Sequence, residues 1–123
     1  PEFYVPDTWR GRSADKKQGS EGVVELGELD RDIVSDSPYE ALCAYNALLD
    51  AGVAPEQARM VLPQSTMTEW YWSGSLDAFA DMCNLRCKPD TQYESRVVAN
   101  QISKVMGKLY PVSWSALTDN EGE

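Results

Sequence analysis

With 123 residues and a formal charge of −9, from 20 acidic against 11 basic side chains, the sequence suits one small domain and is too acidic for a nucleic-acid polymer partner. Hydrophobic residues at 42% and aromatics at 10% supply a packable core, which excludes a disordered chain. The lack of any histidine removes Ser-His and Cys-His catalysis and the commonest zinc ligand, and three cysteines without a C-x-x-C pair give neither a disulfide framework nor a zinc site.

A single nucleotide is a different case, because one or two placed arginines hold a phosphate or a base whatever the net charge. No apolar stretch approaches the roughly 20 residues of a membrane helix, and the opening Pro1-Glu2-Phe3-Tyr4 lacks a signal-peptide pattern. A soluble, cytoplasmic protein with no membrane partner is expected.

Residues 1–36 are rich in charge and turn formers and read as an extended segment followed by a mobile loop, least hydrophobic from Gly11 to Gly22. Phe3, Tyr4 and Val5 suit a short extended element that Pro6 ends. Ser37 as cap, Pro38 in the first turn and Glu40 three residues on predict a helix from Ser37, with Tyr39, Leu42, Cys43, Asn46 and Leu49 on one face and Gly52 as its stop. Pro55 starts a short second helix that carries Arg59 and is terminated by Pro63. Residues 65–72, dense in β-branched and aromatic types, read as a strand or a continuing helix.

Ser75 is placed to cap a third helix in which Leu76, Phe79, Ala80, Cys83 and Cys87 form an apolar stripe. Arg86 lies beside that stripe, and a guanidinium buried there needs an anion or several acceptors. Asp90 caps a last long helix with Tyr93, Val97, Val98, Ile102, Val105, Met106 and Leu109 turned inward. Residues 37–117 therefore form a helical core, and 118–123 an acidic, disordered tail of the same single domain.

Between Ala58 and Glu94 the chain carries A-R-M-V-L-P, then T-M-T-E-W, then a helix ending in L-R, then Q-Y-E. The spacing and residues resemble the C-terminal half of flavin-dependent thymidylate synthases, and E-F-Y-V-P at residues 2–6 resembles a segment that lies shortly after that family's R-H-R signature. The signature itself is absent from these 123 residues, and the chain opens without Met, so a truncated chain, a partial gene or one half of a split enzyme is expected. The wording T-E-W-Y-W-S-G-S-L is more like the bacterial and phage branch, which would place a phage-encoded protein in the bacterial host cytoplasm.

The resemblance implies an α/β (α+β) fold, mostly helical in this half, assembled as a homotetramer. It implies reductive methylation of dUMP to dTMP, with FAD as cofactor and NADPH and methylenetetrahydrofolate as co-substrates. Arg59 and Arg86 match dUMP-binding positions, Arg86 also polarising the uracil ring, a role for which a permanently charged, planar set of donors is suited. Ser75, Leu76, Asp77 and Asp81 match flavin-contacting positions, although two acids there depart from the family pattern and suit ribose or adenine donors better than a diphosphate. Asp90 stands where many relatives have His, and no role carries over to it.

The blander readings are packing roles for Cys83 and Cys87, core or subunit-interface roles for Trp70, Tyr71 and Trp72, and a cap for Asp90. The competing function is a non-enzymatic helical module whose aromatic patch binds a partner protein. The sharp expectation is that Arg59 and Arg86 face one pocket in which a uracil nucleotide sits beside the flavin ring.

Overall fold

A computed structural model describes residues 1–15 and 19–118. Its elements in chain order are strands β1 (Trp9–Arg12) and β2 (Ser20–Val24), helices α1 (Glu28–Asp50) and α2 (Pro55–Ala58), a 3-10 turn (Arg59–Val61), and helices α3 (Leu76–Arg86), α4 (Tyr93–Leu109) and α5 (Pro111–Thr118). The chain is 57% helical beside one two-stranded antiparallel sheet, the mostly helical α+β composition the sequence led us to expect. It divides into two compact units, Pro1–Trp9 with Val23–Trp70, and Arg10–Gly22 with Tyr71–Glu123.

The expected loop at 11–22 is partly structured. Its ends belong to the β1–β2 hairpin, tied where Arg10 Nε donates to Ser20 Oγ at 2.7 Å. Gly22 has φ +64°, a conformation any other residue would strain to hold. The remainder of that loop, 16–18, lies outside the described residues, as does the acidic tail beyond Thr118.

In the first unit, α1 begins at Glu28 rather than Ser37. Glu28 and Asp30 place negative charge in its first turn, where the helix dipole favours it. Ser37, read from sequence as a cap, instead donates its hydroxyl to Ile33 O at 2.7 Å, a bond back to the preceding turn. Pro38 is therefore inside the helix, one missing N–H in an otherwise continuous run. Gly52 ends the helix as expected: at φ +90° it donates to Leu49 O, while Val53 N donates to Leu48 O, satisfying two terminal carbonyls.

Pro55 opens α2, whose buried Ala58 lies against α1, and the chain turns extended at Leu62 because Pro63 disfavours helical geometry there. Of the strand or continuing helix read at 65–72, only one antiparallel bridge forms, between Thr66 and Phe3, with Tyr4 N donating to Ser65 O and Met67 N to Glu2 O, both at 2.8 Å. Pro6 cuts the partner segment short, so the pairing has nothing to extend along.

The second unit holds the larger core. Ala80, Cys83 and Trp114 are buried together, with Leu76, Phe79, Met82, Cys87, Ile102 and Met106 packed around them. Ser75 caps α3 by accepting from Ala78 N at 3.3 Å. Asp90 does not cap α4: the helix starts at Tyr93 after Gln92, and Thr91 is the buried residue of that turn, donating to Leu85 O at 3.1 Å. Of the α4 residues expected to face inward, Ile102 and Met106 do, whereas Val98, Val105 and Leu109 are at least half exposed. Among the described residues no helix is long and apolar enough to cross a membrane.

Candidate functional site

Helix α3 carries four of the six expected site residues, Leu76 and Asp77 in its first turn, Asp81 at its middle and Arg86 in its last turn, and Ser75 caps it. At 1.5 Å per residue the two ends are about 16 Å apart, so one rigid rod sets their spacing.

The C-terminal end lines a groove of about 400 Å³ within the second unit. Trp72, Met82 and Val98 give it apolar walls, and Arg86, Glu94 and Ser95 give it one cation, one anion and one hydroxyl. Met82 and Arg86 share a face of α3 because they lie four residues apart. Glu94 and Ser95 come from the first turn of α4. Trp72 packs on Phe79, ring centroids 4.7 Å apart and tilted by 49°.

Arg86 is exposed at this groove and not buried beside the stripe, so the expectation of a desolvated guanidinium is corrected. Among the described residues it makes no ion pair and no side-chain hydrogen bond, although Glu94 lines the same groove. Its full set of N–H donors is therefore available to a ligand. The groove can hold a flat, partly apolar ring against Trp72 while Arg86 donates to its polar edge.

Arg59 sits exposed in the 3-10 turn of the first unit. At the start of α3, Ser75, Asp77 and Asp81 are exposed and Leu76 is half-buried. The Ser75 hydroxyl donates to Asp77 Oδ1 at 2.6 Å while accepting from Ala78 N, so Asp77 is drawn onto the cap at the positive end of the helix. Asp81 lies one turn on, on the same face.

Cys83, the cysteine within α3, lacks the character of a nucleophile. Burial, then the charge of Cys87 and a hydrogen bond with it, push the Cys83 thiol up to about 11, and Cys83 Sγ donates to Ala99 O at 3.5 Å. Iodoacetamide at neutral pH will therefore modify exposed Cys43 well before Cys83, and the Cys83 rate will climb with pH toward about 11 as thiolate forms. Mass spectrometry of timed digests checks this; Cys83 labelling as fast as Cys43 at pH 7 would contradict it.

Trp72, Glu94 and Ser95 were not anticipated in the groove. Glu94 had a signal, since it closes the Q-Y-E segment, but its proximity to the end of α3 is a tertiary fact. Trp72 was read as core or interface; it is 47% exposed and forms a wall, while Trp70 and Tyr71 are more exposed still.

Residues 1–112 match the profile of one protein family, described as thymidylate synthase complementing protein. Relatives bearing the name flavin-dependent thymidylate synthase include that of Thermus thermophilus, 38% identical over 119 residues, covering 97% of this chain and 44% of the relative. That of Thermosipho melanesiensis is 34% identical over 112 residues, covering 89% and 49%, and that of Treponema denticola 30% over 125 residues, covering 98% and 47%. The chain thus spans about half the length of the curated relatives it matches.

Proposed function

This chain belongs to the thymidylate synthase complementing protein family, and from that premise we propose that it forms part of an FAD-dependent enzyme that converts dUMP to dTMP. In this reading methylenetetrahydrofolate gives the carbon, NADPH gives the electrons, and the remainder of the site comes from a portion equivalent to the other half of the relatives. Assembly is as a homotetramer in the cytoplasm.

The observation that carries the reading is Arg86, a guanidinium without a partner among the described residues, on a groove walled by Trp72. A uracil ring laid against the indole presents its carbonyl oxygens and N3 at its rim. Arg86 donates to that rim, and its fixed positive charge favours the ring form in which negative charge spreads over N3 and the oxygens. In that ionised ring electron density is shared through conjugation with C5, which prepares C5 to attack an electrophilic one-carbon unit, and Met82 and Val98 limit water on the apolar side. Arg59 is assigned a second contact to dUMP, where a permanent cation suits a phosphate.

The donor set at the start of α3 fits a flavin nucleotide in part. The leading N–H groups of the helix are suited to oxygens of the cofactor, and the carboxylates of Asp77 and Asp81 accept from ribose hydroxyls or an adenine amine but repel a diphosphate. Ser75, Leu76, Asp77 and Asp81 would therefore hold the nucleoside part. Flavin, when bound, supplies the redox chemistry.

The test is to combine this chain with a polypeptide bearing the family's signature segment and to look for a yellow complex whose reduced flavin is oxidised only when dUMP and methylenetetrahydrofolate are present. Bound flavin with dUMP-dependent oxidation is the expected result. A colourless, well-folded complex without oxidation rejects the proposal.

A further inference from the structure

The second unit contains a basic cluster that lies outside the groove lining. Tyr93 opens α4, and two guanidinium groups lie against its ring: Arg10 Cζ is 5.6 Å and Arg96 Cζ 5.9 Å from the ring centroid. Arg10 arrives from β1, whereas Arg96 stands three residues beyond Tyr93 on the same helix. Two distant parts of the sequence are thus brought to one aromatic side chain.

The contacts that hold these arginines are all neutral. Arg10 donates Nε to Ser20 Oγ at 2.7 Å and Nη2 to Ser20 O at 3.4 Å, and Arg96 donates Nη1 to Pro89 O at 2.8 Å. Among the described residues neither has a carboxylate partner, in a chain where acids outnumber bases by 20 to 11. An acidic surface would ordinarily neutralise such a pair, and two like charges sharing one ring repel each other. The arrangement holds both cations against one ring, oriented by its quadrupole, with most of their N–H donors unused. Arg12, on the same face of β1 as Arg10 and exposed, adds to the positive field.

We propose that Arg10, Tyr93 and Arg96 form a receptor for a dianionic oxyanion, a phosphate monoester or a pair of neighbouring carboxylates carried by a substrate, cofactor or regulator. The ring organises the two planar forks before the ligand arrives, and the ligand supplies the negative charge that the surrounding surface withholds. The site is distinct from the groove and independent of the thymidylate reading.

The test titrates the whole protein with inorganic phosphate and, separately, with succinate, following heat by calorimetry and the Arg Nε–H signals by NMR. Saturable binding of at least one probe is expected, weakened about tenfold by Arg10→Gln and by Arg96→Gln, and weakened further by added salt. Tyr93→Leu keeps both charges and still loses affinity, because the forks are no longer held. Binding of phosphate alone assigns a phosphate source, and binding of succinate alone a carboxylate source. Since Arg10→Gln also loosens the hairpin, Arg10→Lys serves as a second variant: it keeps the charge, loses the fork and binds more weakly than wild type. The proposal is overturned if folded wild type binds neither probe saturably, or if a folded Arg10→Gln/Arg96→Gln protein binds as well as wild type.

Discussion

Arg86→Lys should lower turnover of the assembled enzyme by about a hundredfold to a thousandfold, the scale on which loss of one well-placed donor to developing negative charge is felt. The substitution keeps a positive charge at nearly the same place, so an effect of that size would belong to the planar fork and not to the field. Folding should be almost untouched, because Arg86 is exposed and, among the described residues, no ion pair or hydrogen bond depends on it. The decisive measurement is the rate of dUMP-dependent flavin oxidation at saturating dUMP, beside a thermal melt of the same sample. Activity within about threefold of wild type, well inside one factor of ten, would take Arg86 out of the reaction; a collapse in melting temperature would assign it to the fold.

That separation is possible because Arg86 is exposed while the apolar stripe of α3 is packed, and the sequence displayed the stripe. The stripe Leu76, Phe79, Ala80, Cys83 and Cys87 is a pattern of type and spacing, and the same residues pack against Trp114 and α4. The Ser75 cap and the Gly52 stop were legible for a similar reason, each being a local solution to unpaired backbone groups. Where local rules offered two answers, the reading failed. Ser37 and Pro38 look like a helix start, yet the Ser37 hydroxyl can equally bond back to Ile33 O, and the acidic turn at Glu28 supplies an earlier beginning. Asp90 looks like the start of α4, yet Thr91 is buried with its hydroxyl donated to Leu85 O, and the helix begins only at Tyr93.

The groove was legible only through its arginine. Arg86 carried a motif, whereas Glu94 and Ser95 reach the same groove because α3 ends near the place where α4 begins, and Trp72 comes from the segment before α3 that packs on Phe79; no periodicity records either. Arg59, also recognised by motif, belongs to the first unit, and its assignment to dUMP rests on the family pattern.

Trp114→Ala should be the most destabilising single truncation in the second unit, costing about 3–5 kcal/mol, the usual range for deleting a buried tryptophan or phenylalanine. Trp114 is 5% exposed, is the largest side chain of the buried cluster with Ala80 and Cys83, and joins α5 to both α3 and α4. Its indole Nε1 donates to Ser103 Oγ at 3.1 Å, so the substitution also leaves that hydroxyl without its partner. Its buried neighbours Ala80 and Cys83 are too short to fill the space, so only the partly buried side chains around them can close it. Since whole domains are stable by only about 5–15 kcal/mol, the variant should lose most of its cooperative urea transition. Trp114→Phe retains much of the apolar area and loses the hydrogen bond, and it should cost about 1–2 kcal/mol. A Trp114→Ala transition within about 1 kcal/mol of wild type, far below the expected range, would mean that α3, α4 and α5 are held by something other than this side chain.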